Sequence, residues 1–414
     1  MSPNSKNSKN VRTSSANPPA LVIGLDCLQG LSTARILSGY KIPVIGIAKN
    51  PDYHCCKTNS CQEILFADTA GEELITLLEK IGPQFDSKPV IFPCQDKNVL
   101  NISRNRERLE QWYHILMPAH EIIESLLDKV LFYELAQQKG LPVPKTFILK
   151  SREDAENAAG KMSYPCLLKP PWRPESWTKH TKVKALKANS KQEFLSLYDH
   201  YHKWIDILLV QNWIEGPNEN HFTCNCYFDK NSEPLVTFTS RKLRQWLPKT
   251  GQACLAEEFR NDRVVAETHR LFKQFKFWGL GYLEMKRDEN TGENLIIEPN
   301  VGRPTGRSSM AEAGGVDFLY TMYCHALNMP LPKNRTQNFS GRKWIHELRD
   351  TQAAIHHLRR GELSIWQWLT SVRGRKSYAL FSIRDLVPFF TAIKNALPAL
   401  LSKKEQGGED YKSS

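Results

Sequence analysis

An α/β and α+β chain is predicted: a parallel α/β region at the N-terminus, a larger mixed region after it, and a helical appendage at the C-terminus. Three observations lead there. Apolar runs at residues 20–24, 42–47 and 89–93 alternate with helix-like stretches at 28–37 and 72–81, the pattern of a parallel sheet covered by helices. After residue 200, apolar runs are joined by Asp/Asn-rich turns, as in antiparallel hairpins. The 414 residues, 41% hydrophobic and 24% charged, suffice for two or three domains with separate cores.

In chain order, residues 1–19 are rich in Ser and Asn and lack an apolar core, which predicts a disordered leader rather than a signal peptide. Ala20–Gly24, Ile42–Ile47 and Pro89–Pro93 read as buried strands, with Leu28–Leu37 and Glu72–Ile81 as helices, in an α/β domain over 20–120. Ligands of such sheets bind beyond the carboxyl ends of the strands, so residues 24–30 and 94–96 are candidate ligand-facing loops. Gly24 and Gly30 do not complete G-x-G-x-x-G, and a dinucleotide fingerprint is absent. Glu121–Lys139 reads as helical and stops at Gly140. Lys145–Leu149 and Tyr164–Pro171 read as short strands, Lys191–Lys203 as a helix and Asp206–Gln211 as a strongly apolar strand. Phe222–Phe228 and Leu235–Arg241 form a predicted hairpin, followed by helices at Val264–Phe277 and Gly315–Ala326. A region over 121–332 with two subdomains is expected, then a basic helical C-terminal region and tail over 333–414.

The net charge of +12 is concentrated in Lys6, Lys9 and Arg12 and again between Lys333 and Lys376, which allows an anionic partner without specifying one. No aromatic-basic RNA motif or helix-turn-helix signal is readable, so no nucleic acid partner is expected. No run approaches the length of a membrane span. Trp344, Trp366 and Trp368 are read as core of the C-terminal appendage. The sharper alternative is a weak membrane-surface element of Phe389, Phe390, Ile393, Leu397 and Leu400 with Lys394, Lys403 and Lys404. The ten cysteines show no zinc spacing and fit a reducing cytoplasmic location.

The chemistry is carried first by Gly281–Asn300. Two apolar runs flank Asp288-Glu-Asn-Thr-Gly292, a hairpin turn, and folding about it brings Glu284 almost opposite Glu298. Asn300, two residues on, points to the same face. Three hard oxygen ligands thus converge, as magnesium prefers. Arg303 and Arg307 follow on a Gly/Pro-rich loop, and cations beside a magnesium site suit a phosphoryl group. A hairpin with solvated acids is the bland alternative. Lys169 ends a buried strand and Lys129 opens a helical run, both placed to neutralise phosphate, although either alone reads equally as a solvated lysine. Gln211, Asn212, Trp213 and Ile214 end the strongest strand, where backbone groups can read an adenine edge and Trp213 and Ile214 can wall the ring. Glu219 and His221 are candidates to meet a ribose. Arg241, Lys242 and Arg244 form a cationic row for a transferring phosphoryl group or a solvated strand edge.

In this order the pieces resemble the ATP-grasp superfamily of ADP-forming carboxylate–amine ligases, over roughly residues 20–330. The family's nucleotide lysines match Lys129 and Lys169, its hinge matches Gln211–Ile214, its magnesium ligands match Glu284, Glu298 and Asn300, and its loop arginine matches Arg303. Arg241-Lys-Leu-Arg-Gln245, Gly302-Arg-Pro-Thr-Gly-Arg-Ser308 and Ala313-Gly-Gly-Val-Asp317 look most like the stand-alone branch that includes D-aspartate ligases. Two departures stand out: Trp172–Lys179 has no glycine where many relatives place a Gly-rich phosphate-covering loop, and the arginine after Asn300 comes one residue late.

The resemblance implies a pre-ATP-grasp domain, an ATP-grasp domain of two subdomains, ATP with Mg2+ (Mn2+ an admissible substitute), and small-molecule carboxylate and amine substrates joined through an acyl phosphate. Arg303, Lys242 and Arg244 are then the catalytic cations, and Asp96 and Arg307 candidate substrate contacts. A nucleotide-binding protein without turnover is the alternative, and a homo-oligomer is left open.

Overall fold

The computed structural model describes residues 17–181, 184–247 and 251–401, the last five as backbone. The predicted leader through residue 16 and Lys403 and Lys404 lie outside these residues.

The first sheet is parallel, with strands β1 (Ala20–Ile23), β2 (Val44–Ala48), β3 (Glu63–Phe66) and β4 (Val90–Pro93) in the order β3-β2-β1-β4. Every residue of β1, β2 and β4 is buried, as expected of strands covered on both faces. The edge strand β3 has no such signal: Glu-Ile-Leu-Phe is partly exposed and too polar at its start to read as a buried strand. Helix Leu28–Gly39 follows β1 and helix Asp96–Arg104 follows β4, so Asp96 sits at the carboxyl edge of the sheet.

The predicted helical run at 121–139 is two helices, His120–Leu127 and Lys129–Gln138. Asp128 breaks it. Its backbone is extended, and its side chain accepts from the amides of Val130 (2.8 Å) and Leu131 (3.0 Å), an N-cap that starts a new helix at Lys129.

The second sheet holds β5 (Thr146–Leu149), β6 (Cys166–Lys169), β7 (Leu186–Ala188) and β8 (Leu208–Asn212), antiparallel in the order β5-β8-β6-β7. Helices Arg152–Ala159 and Lys191–Tyr201 cover it, and Trp177 and Phe194 are buried in its own core.

The third sheet has seven strands: β9 (His221–Phe228), β10 (Pro234–Trp246), β11 (Gln252–Glu258), β12 (Gly279–Arg287), β13 (Asn294–Val301), β14 (Lys343–Ile345) and β15 (Lys376–Tyr378), in the order β13-β12-β9-β10-β11-β14-β15. Helix Asp262–Gln274 packs on it through Leu271 and Phe272. The C-terminal region is largely helical, at Glu347–Arg359, Ile365–Ser371 and Val387–Leu401. It also adds β14 and β15 to this sheet, two strands too short for sequence periodicity to show. Trp344 is buried there as expected, whereas Trp366 is 68% exposed. Phe389 packs on the core and Phe390 stands in solvent, so these neighbours do not share one surface face. No helix among the described residues is long and apolar enough to cross a membrane.

Candidate active site

A cleft of about 1010 Å³ opens among the three sheets, and most of the residues singled out in the sequence line it. On its floor, β12 and β13 pair with Glu284 opposite Glu298 and Tyr282 opposite Asn300. Alternation along a strand then puts Glu284, Glu298 and Asn300 on one face. Like charges directly opposed across a ribbon repel, so the pair needs compensating cations. Lys129 Nζ lies 3.5 Å from Glu298 Oε2, and Arg307 Nη2 lies 3.9 Å from Glu284 Oε1. Enclosure opposes ionisation of Glu298, yet Lys129, Lys169 and Arg303 together hold its carboxyl below the ordinary glutamate value.

Asn300 Oδ1 accepts from Arg303 Nη2 at 2.6 Å, which leaves the oxygen a second lone pair, and its Nδ2 is buried without a partner. Two carboxylates and an amide oxygen on one face form a donor set that fits a hard divalent cation.

Arg303 is locked from three sides. Its guanidinium donates to Asp96, to Tyr282 Oη (2.6 Å) and to Asn300. The turn that delivers it needs Gly302, whose φ is +71° and whose missing Cβ would stand 2.5 Å from Val99 Cγ1. Asp96, expected as a substrate contact, lines the cleft and pairs with Arg303. It ties the carboxyl edge of the parallel sheet to the acidic ribbon.

Lys169, at the end of β6, lies 3.4 Å from Tyr133 Oη and over the Tyr133 ring. Desolvation, reinforced by Lys129 and opposed by Glu298, pushes its pKa down to about 7. Tyr133 in turn donates to the Ile297 carbonyl at 2.6 Å, which fixes Lys169 against the acidic ribbon.

Gln211–Ile214 forms the passage from β8 toward β9, between two sheets. Gln211 is buried, and its side chain bonds to Thr146 (2.8 Å) and Tyr133 (3.5 Å), so it stabilises the passage. Trp213 is flanked by Lys187 (4.5 Å) and Lys286 (5.4 Å), and Lys286 Nζ donates to the Ile214 carbonyl at 2.7 Å. Gln211, Asn212, Trp213 and Ile214 all line the cleft.

The cationic row on β10 divides. Lys242 faces the cleft, where burial and the neighbouring Arg307 and Lys286 depress its pKa to about 8 against the pull of Glu284. Register shifts on either side of Arg244 turn that residue away. The structure does not bring Arg244 to the cleft: it is buried, 2.6 Å from Asp350 Oδ1 and 2.6 Å from Ser371 Oγ. Arg241 pairs with Glu257 at 2.7 Å. Glu219 sits in the short turn Asn218–Asn220 and is not part of the cleft lining, while His221 is. In the glycine-free segment, Glu175–His180 forms a helix. There Lys179 pairs with Glu175 and Ser176 donates to the Trp204 carbonyl, leaving Arg173 as its cleft-lining cation.

Sequence reasoning missed Lys184, Lys286, Tyr133 and Tyr282, which complete the cleft around these groups. Lys286 had a signal, being two residues from Glu284 on the same strand face. Lys184 had none.

No family model matches the chain. The chain is 22% identical over 247 residues to the D-aspartate ligase of Enterococcus faecium (strain Aus0004), covering 58% of this chain and 58% of that protein. It is 22% identical over 209 residues to the D-alanine–D-alanine ligase of Pseudomonas entomophila (strain L48), covering 46% of this chain and 61% of the relative. The chain thus spans about three fifths of the length of these relatives. Among solved structures it is similar to the biotin carboxylase domain of Hydrogenobacter thermophilus 2-oxoglutarate carboxylase in complex with MgADP, ADP and bicarbonate. The TM-score is 0.59 and the identity 17%, over 76% of this chain and 71% of that one. These similarities point to the ATP-grasp superfamily.

Proposed function

We propose that this ATP-grasp chain is an ADP-forming ligase that joins a small-molecule carboxylate to an amine through an acyl phosphate. The observation that carries the reading is the opposed pair Glu284 and Glu298, with Asn300 on the same face and Lys129, Lys169 and Arg303 around it. Glu284, Glu298 and Asn300 would hold magnesium, which when bound neutralises phosphate charge and orients the phosphoryl group. Lys129 and Lys169 bind the phosphates of ATP, and Asn212, Trp213 and Ile214 border its base.

The substrate carboxylate oxygen attacks the γ-phosphorus. A new O–P bond forms, the bond to the bridging oxygen breaks, and ADP leaves with that electron pair. The amine nitrogen then attacks the acyl carbon, the C–O bond to phosphate breaks, and the amine proton is lost as the amide forms. Arg303 is held rigidly enough to stabilise charge in both steps without reorganising, and Lys242 and Arg307 add cationic charge from the β9–β10 side. Arg244 is assigned a structural role.

Hydroxylamine tests this sequence, since it replaces the amine and traps an acyl phosphate as a hydroxamate. The protein with Mg-ATP, hydroxylamine and pooled carboxylates is expected to form hydroxamate in proportion to ADP. ADP formed without hydroxamate, across the pool, would remove the acyl phosphate from the account.

A further inference from the structure

The cleft does not end at the acidic ribbon. Across the seven-stranded sheet, Lys242 on β10 pairs in register with Ala256 on β11, and Ala256 with Trp344 on β14. From β12 to β14 there are four strand spacings, about 19 Å along the sheet. At that far end the lining comes from segments outside the phosphate-binding set: His54 from the parallel-sheet region, and Trp344, His346 and Arg349 from the C-terminal region.

This end is built to receive negative charge. Arg349 donates to the Gln252 side chain at 2.8 Å and has no carboxylate partner among the described residues. The Nε1 of Trp344 and the Nδ1 of His346 are buried without hydrogen-bond partners, a cost that a bound acceptor can offset. Burial, then Arg349 and His54, pushes His346 down to about 3, and burial and Arg349 also lower His54, so neither ring carries charge at neutral pH. Lys184 links the two ends: burial, then Arg173 and Arg349, lower its pKa, while Glu298 pulls the other way. Over the whole cleft, nine Lys and Arg side chains face three carboxylates, more positive charge than one nucleotide-phosphate site requires.

We propose that the far end of the cleft is an anion subsite in which Arg349, His54, His346 and Trp344 hold a carboxylate or phosphate group of the second substrate, remote from its reacting centre. The substrate is then an extended molecule with one anionic end in this subsite and its reacting end at the acidic ribbon. That assignment of ends rests on the ligase reading, whereas anion binding at Arg349 stands apart from it.

Calorimetric titrations of the full chain with inorganic phosphate and, separately, glutarate test the subsite in wild type, Arg349→Gln and Lys169→Met. At least one anion is expected to bind wild type, to bind Lys169→Met within about twofold, and to lose about tenfold or more in Arg349→Gln. The better anion identifies the group as phosphate or carboxylate. Mg-ADP should show the reverse pattern, weakened in Lys169→Met and unchanged in Arg349→Gln. If Arg349→Gln does not fold, His54→Leu on the facing wall gives the reading, with a loss in the same direction. Equal anion affinity in wild type and the far-end variant, or no binding of either anion to wild type, would overturn the subsite. Absence of Mg-ADP binding would count against the ligase reading and leave the anion result intact.

Discussion

Glu284 and Glu298 stand directly opposite each other on β12 and β13, each with a cation within 4 Å, Arg307 at 3.9 Å and Lys129 at 3.5 Å. A sheet without a charged ligand gains little from opposing two glutamates and then surrounding them with lysine and arginine. Replacing Glu284 with Gln is therefore expected to leave thermal stability unchanged or slightly raised while magnesium-dependent ADP formation falls on the order of 10²-fold or more. Differential scanning calorimetry beside a magnesium titration of turnover checks both halves. A large loss of stability with turnover retained would make the pair structural.

On the proposed reading, the Lys169 pKa of about 7 should make nucleotide binding proton-linked. Bound phosphates favour the ammonium form and raise the pKa, so at pH 8 Mg-ATP binding should take up close to one proton, and at pH 6 much less. Titration calorimetry in buffers of different ionisation enthalpy measures this, and Lys169→Met should abolish it. In the free protein the sign is set by the depressed pKa. Folding disfavours the charged lysine, so its effect on stability is absent above about pH 10.5, grows more unfavourable as pH falls toward about 7, and is constant below.

Arg244 and Asp350 form a buried pair that holds β10 against the C-terminal helices, with Trp368 Nε1 donating to Asp350 at 3.0 Å. Arg244→Ala leaves the buried Asp350 without its partner and should cost about 3–5 kcal/mol in chemical denaturation. If the variant retains its fold, KM for ATP should be unchanged. A wild-type denaturation midpoint with lost turnover would return Arg244 to the catalytic set.

On the proposed reading Asp96 acts through Arg303, with which it pairs. Asp96→Asn removes the anchor from the parallel-sheet side and is expected to lower kcat by about 10- to 100-fold while Mg-ATP affinity holds. A change confined to KM for the second substrate would make Asp96 a substrate contact.

The acidic ribbon was legible because a hairpin turn and period-two alternation place Glu284, Glu298 and Asn300 without tertiary information. Lys129 and Lys169 stood at the ends of their elements, where each alone also reads as a solvated lysine, and only the resemblance implied a phosphate role. Arg244 was misread because the register shifts in β10 rotate it away from Lys242, and nothing in Arg-Lys-Leu-Arg announces a bulge. The far wall at His54, Trp344 and His346 was invisible for a different reason. Its residues are some 290 positions apart in the chain and meet only through sheet order, with Trp344 on β14, a strand of three residues.

ADP release tests the central claim most directly: the purified protein with Mg-ATP and pooled amino acids and small carboxylates, beside Glu298→Gln. The account predicts ADP release that requires an acceptor from the pool and is lost in the variant. Release of ADP by Glu298→Gln at the wild-type rate, or no magnesium-dependent nucleotide binding by the wild type, would contradict it.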